Sequence, residues 1–222
     1  AETGLVALMA KLRGKRFVWS SASDVDFEYR RVDPKRRNEI LFELGVRLAD
    51  RIVVQTVEQQ RLCQAKFSRA PIVASSIGQP APQRTTVPTS FLWIGRLVDY
   101  KRPFAFIDLA RALPSARFRM IGVPSVNSPD VAEAVRLGSE DIDNLDLLEP
   151  RPRHELMAEI DSAVAIVNTA EHEGMPNIFL EGWARGVPAL AFGQDPNGVI
   201  ARHGLGECAD GSFDQFVSLA SS

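Results

Sequence analysis

The strongest constraint on this chain is a regular alternation of short apolar runs with longer amphipathic ones. FLWIGRL (91–97), ARFRMIGV (116–123), NLDLL (144–148), AVAIVNT (163–169) and PALAF (188–192) are short and rich in branched or aromatic residues. Runs of this kind read as strands buried on both faces, the pattern of a parallel sheet covered by helices. Between them lie helix-length segments: RPFAFIDLARAL (102–113), a weaker one near 129–138, one at 154–161 and a short one from about Asn177 to Arg185. GSFDQFVSLASS (211–222) begins a last helix without closing it. Five apolar strands with intervening helices predict a doubly wound, Rossmann-like, mostly parallel α/β domain over 91–222.

The same punctuation runs through residues 1–78. Leu5 to Leu12 suits a short helix and RFVWSSA (16–22) a strand. Asp33-Pro34 supplies an N-cap and a first helical proline for a helix reaching about Ala49. RIVVQT (51–56), VEQQRLCQAKF (57–67) and PIVASSI (71–77) then read as strand, helix and strand. Three strands are too few for a whole nucleotide-fold half, so 1–78 reads as a partial α/β domain. GQPAPQRTTVPT (78–89) holds three prolines and almost no apolar side chains, which assigns 79–90 to an interdomain linker.

Composition narrows the function classes. No apolar run reaches the length of about 18 residues that reads as a membrane span. The N-terminus lacks a basic-then-apolar signal pattern. Cys63 and Cys208 stand far apart without metal-ligand spacing, so two free thiols in a reducing cytoplasm are the simplest account. Residues 1–70 hold 14 basic against 9 acidic side chains, a net +5 that the remainder offsets with −7. The basic runs KLRGKR (11–16) and RRVDPKRR (30–37) suit either a solvated surface or contact with an anionic membrane face. They lack interleaved aromatics and any recognition motif, which argues against nucleic acid as a partner.

In a doubly wound sheet, ligands bind beyond the carboxyl ends of the strands. Polar residues collect there: Gly95-Arg96 with Lys101, then Gly122, Glu149-Pro150-Arg151, and Glu171-His172-Glu173. Gly174 to Asn177 form a turn into a helix, whose N–H groups and dipole suit an anion. Arg96, Lys101 and this turn match the charge of one diphosphate. Glu173 and Glu181 stand eight residues apart, and a carboxylate accepts two hydrogen bonds from a vicinal diol. Phosphate flanked by hydroxyls on both sides describes a nucleotide sugar. Taken singly, each glutamate reads by default as a surface acid, but Glu181 sits in an otherwise apolar helix. Asp24-Val25-Asp26 and Asp141-Ile142-Asp143 match a D-x-D metal signature only by its three-residue pattern. His154-Glu155 lacks the second histidine of a zinc-protease helix.

Residues 91–192 resemble the donor-binding domain of the family 4 glycosyltransferases, retaining enzymes of the GT-B fold. The resemblance rests on I-G-R-L-V-D-Y-K (94–101), E-G-M-P-N-I-F-L-E (173–181, the family's E-x7-E) and G-V-P (186–188). Residues 33–78 look like the end of that family's first domain. The resemblance implies that Glu173 contacts the donor sugar and Glu181 the ribose. It also implies that Arg96 and Lys101 bind the diphosphate, with Gly95 and Gly122 beside them. Met175 and Pro176, with their neighbours Gly174 and Asn177, would meet the donor near its sugar and phosphate. Arg151 and the rest of the Glu149–Arg153 loop would border the base. Catalysis would fall to Glu173, Arg96 and Lys101. The loop after Gly122 reads VPSVNS without a second glycine, and Ser23-Asp24 stands where many relatives carry a His-Asp pair.

The expected activity is transfer of a sugar, with retention, from a UDP- or GDP-type donor to a glycan, lipid-linked or small-molecule acceptor. No cofactor or required metal is expected. The leaving phosphate would help to deprotonate the acceptor. A non-catalytic nucleotide-sugar-binding module is the alternative, with a GT-B-fold epimerase behind it. By itself the 222-residue chain is expected to bind donor without transferring it. A cytoplasmic location, at the membrane face if the basic runs engage lipid, completes the expectation.

Overall fold

The computed structural model describes residues 2–21, 23–27, 36–126, 128–171 and 173–222. The expected helix start at Asp33-Pro34, most of the basic run at 30–37, and His172 lie outside them. The chain divides into two compact units, Ala1–Ser76 with His172–Met175, and Ile77–Glu171 with Pro176–Ser222.

The first unit runs α1 (Glu2–Leu12), β1 (Val18–Ser20), a 3-10 turn (Asp24–Phe27), α2 (Arg36–Leu48), β2 (Arg51–Val54), α3 (Val57–Phe67) and β3 (Ile72–Val73). Its strands form a parallel three-stranded sheet in the order β1-β2-β3. Trp19 is the hub of its core, edge-on to Phe27 and Phe42 at 5.9 and 5.7 Å, with Val46, Ile52 and Phe67 around them. Helix α3 begins where expected because the Thr56 hydroxyl accepts the Gln59 N–H at 3.0 Å. β3 is only two residues of the expected seven, since its one partner strand, β2, already ends at Val54. α1 packs on α2 through its small residues Gly4 and Ala7, leaving Leu5, Met9 and Leu12 exposed on its outer side. Asp26 in the 3-10 turn accepts from the Ser21 hydroxyl and the Ser23 N–H, so it serves local chain geometry.

The second unit runs β4 (Ser90–Leu97), α4 (Pro103–Ala112), β5 (Phe118–Pro124), α5 (Pro129–Ser139), β6 (Leu145–Leu148), α6 (Arg153–Asp161) and β7 (Ala163–Asn168). It continues with α7 (Asn177–Trp183), β8 (Ala189–Ala191), α8 (Val199–His203), β9 (Gly206–Cys208) and α9 (Phe213–Ser221). Its six strands are all parallel, in the order β6-β5-β4-β7-β8-β9. The winding reverses between β4 and β7, which makes their carboxyl ends the switch point of the sheet.

Alternation along β4 divides the core. Phe91 and Trp93 face α4, α5 and α9, where Phe106, Ile107, Val135 and Phe216 are buried. Leu92 and Ile94 face α6, α7 and α8 with Ile160, Phe179 and Ile200. Burying each large apolar side chain contributes about 1.5–3 kcal/mol. α8 and β9 were not foreseen. β9 is Gly-Glu-Cys, with no branched or aromatic residue, and Gly206 must be glycine because its φ is 137° and a Cβ there would lie 1.9 Å from the Ala189 carbonyl oxygen.

The proline-rich stretch read as a linker is held to the second unit by its backbone. Arg84 N–H donates to Arg185 O at 3.1 Å and Thr89 N–H to Ser162 O at 2.8 Å, while the Arg84 side chain donates to Ala163 O. Among the described residues no helix is long and apolar enough to cross a membrane. Both cysteines are free thiols, and burial pushes the Cys208 thiol up to about 11.

Asp50 ties α1 to the start of β1, accepting from Lys11 Nζ at 2.8 Å and from the Phe17 N–H at 2.7 Å. These two donors hold its carboxyl below the ordinary value of 3.8. A carboxylate lowered in the folded state stabilises above its unfolded value, and that contribution fades as pH falls through the folded one. Asp50→Asn is therefore expected to lower the thermal unfolding midpoint of the first unit at pH 7. The deficit should shrink as pH falls from about 7 toward about 2 and the carboxyl takes up a proton. A deficit of equal size at both pH values would contradict the assignment.

Candidate functional site

The switch point is built from the sheet outward. Trp93 in β4 donates its indole Nε1–H to the Thr169 hydroxyl at 2.9 Å, and that hydroxyl donates to the Lys101 carbonyl at 2.6 Å. Thr169 is fully buried, so the relay is dry. The Glu171 N–H adds a bond to Tyr100 O at 2.8 Å. The 3-10 turn Asp99–Lys101 after β4 is thereby pinned to the segment that leaves β7. Arg102 closes that turn at φ 48°, a left-handed position, and its guanidinium lies 4.6 Å from the Phe192 ring centroid. Pro103 then opens α4 at its first position.

This turn gathers two of the expected phosphate ligands. Arg96 is exposed, with Nη2 donating to the Tyr100 hydroxyl at 2.6 Å. Lys101 is half-buried, with Nζ 5.7 Å from the centroid of the same ring. Gly95 and Gly122 are paired across β4 and β5. A Cβ on Gly122 would lie 2.8 Å from Leu97 Cδ1 and one on Gly95 3.1 Å from the Trp93 ring, so a larger residue at either position would push on the Leu97 or Trp93 side chain.

The two glutamates of E-x7-E fall in different units. Glu173, Gly174 and Met175 cluster with the first, where Met175 N–H donates to Gln55 Oε1 at 3.3 Å. Gly174, Met175 and Pro176 are buried and Glu173 half-buried. Pro176, Asn177 and Glu181 belong to the second unit. α7 is shorter than expected, and Pro176 holds its N-cap position without a side-chain cap. Ile178, Phe179 and Trp183 pack into the core, leaving Glu181 as the carboxylate of this helix. Its Oε1 receives Arg153 Nη2 at 2.7 Å. A cavity of about 370 Å³ lies against this pair, walled by Gly78, Pro80, Met157 and Leu180.

Arg151 points elsewhere. Its Nη1 lies 3.4 Å from Glu159 and 3.8 Å from Glu155 on α6. Glu159 is 7% exposed and also pairs with Arg119, so Arg151 helps to neutralise a buried carboxylate. The sequence gives no individual role to Thr169, Tyr100 or Arg153, although Tyr100 lies in the 94–101 motif and Arg153 ends the loop expected to border the base. Their partners are 68, 4 and 28 positions away, and only the folded sheet brings the distant ones together.

No family model and no curated protein matches the sequence. Solved structures do. The chain is similar to a variant of TarM from S. aureus in complex with fondaparinux, α-GlcNAc-glycerol and UDP. That match is 14% identical at a TM-score of 0.65, covering 94% of this chain and 44% of TarM. It is similar to HepE of Anabaena in complex with UDP and glucose, 13% identical at a TM-score of 0.75, covering 99% and 64%. It is also similar to sucrose-phosphate synthase from Thermosynechococcus elongatus, 14% identical at a TM-score of 0.76, covering 98% and 61%. The fold is thus the Rossmann-like α/β fold of GT-B glycosyltransferases. The chain spans less than half of TarM and under two thirds of the other two.

The buried relay predicts a specific weakness. Thr169→Val keeps the shape but leaves Trp93 Nε1 and the Lys101 carbonyl without their partner, at a cost of about 2–4 kcal/mol. Chemical denaturation should show that loss, and amide exchange at Asp99–Arg102 should rise more than in α9. Unchanged protection of the turn would remove Thr169 from its support.

Proposed function

We propose that the chain is the donor-binding part of a retaining glycosyltransferase of family 4 that takes a UDP- or GDP-type sugar. The observation that carries this reading is the placement of Arg96, Tyr100 and Lys101 at the carboxyl end of β4, beside the switch point where doubly wound sheets bind ligands. The order of G-R-x4-K, E-x7-E and G-x-P along the sequence supports it, as does the presence of UDP in TarM and HepE.

In this reading Arg96 and Lys101 hold the diphosphate and neutralise the charge that grows on it as the bond to the anomeric carbon breaks. Stabilisation of developing charge by fixed groups is commonly the largest catalytic contribution. Glu181 accepts from the ribose diol and Glu173 from hydroxyls of the donor sugar. Gly174 to Asn177 face the donor with their backbone. The acceptor is a glycan, a lipid-linked or a small hydroxyl compound. With two side-chain cations on the diphosphate, a metal is not required for donor binding. A second reading, a module that binds the nucleotide sugar without transferring it, is favoured for the 222-residue chain by its partial coverage of the glycosyltransferases it matches.

Titration calorimetry with UDP, GDP and their glucose conjugates tests the assignments. Arg96→Ala and Lys101→Ala should each weaken nucleoside-diphosphate binding by about 1–3 kcal/mol. Glu181→Gln should weaken diphosphate and sugar conjugate alike, while Glu173→Gln should penalise only the conjugate. EDTA should leave the affinity unchanged. Loss of bare diphosphate binding in Glu173→Gln, or undiminished binding in both cation variants, would refute the assignment.

A further inference from the structure

The pair on α6 and α7 separates the two arginines of the Arg151-Pro152-Arg153 segment. Arg151 turns its guanidinium onto Glu155 and Glu159, where it serves a buried carboxylate. Arg153, at the first position of α6, turns to Glu181 instead, and the two side chains line the cavity together. The pair is lopsided in exposure: the Arg153 side chain is 70% exposed and Glu181 21%. An exposed ion pair of this kind adds little to stability. What it does fix is orientation. Glu181 leaves an apolar helix between Leu180 and Gly182, with Met157, Leu180 and Ala184 also lining the cavity. The Arg153 guanidinium, ion-paired to Oε1 at 2.7 Å, restrains the carboxylate and leaves Oε2 to accept further donors. A vicinal diol supplies two such donors, and a cavity of about 370 Å³ is of ligand size.

Resting on the reading of Glu181 as a ribose ligand, we infer that Arg153 is a positioning residue that sets Glu181 to accept a ribose diol and so makes the site select ribonucleotides over deoxyribonucleotides. Arg153 acts through Glu181 and does not contact the diphosphate. Removing it frees the carboxylate to rotate into water, and the second hydroxyl of the diol then adds little. Lysine, which keeps a cation within reach of Oε1, restores most of the effect. A merely structural arginine would change stability or overall affinity but not the ratio between the two sugars.

The test compares UDP with 2′-deoxy-UDP, and GDP with 2′-deoxy-GDP, by calorimetry on the native chain, Arg153→Met and Arg153→Lys, with circular dichroism to confirm folding. The native chain should prefer the ribonucleotide by about tenfold or more, the size of a lost hydrogen bond to a charged group. Arg153→Met should cut that preference to under about threefold, and Arg153→Lys should recover most of it. A native preference that survives intact in Arg153→Met would overturn the role of Arg153 while leaving Glu181 on the ribose. Equal binding of ribo- and deoxyribonucleotide by the native chain would overturn the ribose assignment and this inference with it. Failure of both UDP and GDP to bind would overturn the donor-site reading itself.

Discussion

The second unit depends on β4 being paired on both edges and packed on both faces. It bonds to β5 on one side and β7 on the other, and its alternating side chains anchor two separate apolar clusters. A strand in that position can lose neither its register nor its exit direction without exposing one of the cores. The exit is therefore fixed, and the Trp93–Thr169–Lys101 hydrogen bonds carry that fixity one turn further, into the segment that bears Arg96, Tyr100 and Lys101. The cations of the site are placed by the centre of the fold. A diphosphate meeting them would find groups that need little reorganisation, which is how a protein turns packing into binding and charge stabilisation.

The second half of the site is organised differently. Glu181 rides on a seven-residue helix that sinks Phe179 into the core and turns its one carboxylate toward Arg153 and a cavity. Here an apolar helix surface restricts the carboxylate from one side and a guanidinium from the other. Residues 77–81, with Pro80 among them, also line that cavity. Further along, the stretch that composition describes as a linker is bonded to the second unit through the Arg84 and Thr89 N–H groups and the Arg84 side chain.

Legibility in the sequence followed the physics of each element. β4 and β5 were readable because a strand buried on both faces must be apolar throughout, and α3 because Thr56 caps it. β9 was not, since a glycine at φ 137° and two ordinary residues form a strand only because β8 offers them an edge. β3 shrank to two residues for lack of a longer partner. In the site, Arg96, Lys101 and Glu181 carry spacings that suggest a diphosphate and a diol. Thr169 and Arg153 do not, because a buried hydroxyl linking residues 93 and 101 and an ion pair across 28 positions exist only once the sheet is wound. Arg151, expected to border the base, lies 3.4 Å from Glu159, a pairing that its spacing in the sequence does not announce.

The central claim is that the carboxyl edge of β4 and β7 is the seat of a nucleoside diphosphate. Backbone amide shift mapping by NMR during titration with UDP and with GDP tests it most directly. Perturbations are expected to concentrate at Gly95–Arg102, at Asn168 and Thr169, and at Asn177–Glu181, all in the second unit. Perturbations confined to the opposite edge, around Ser90 and Ala163, or an unchanged spectrum with both nucleotides, would contradict it.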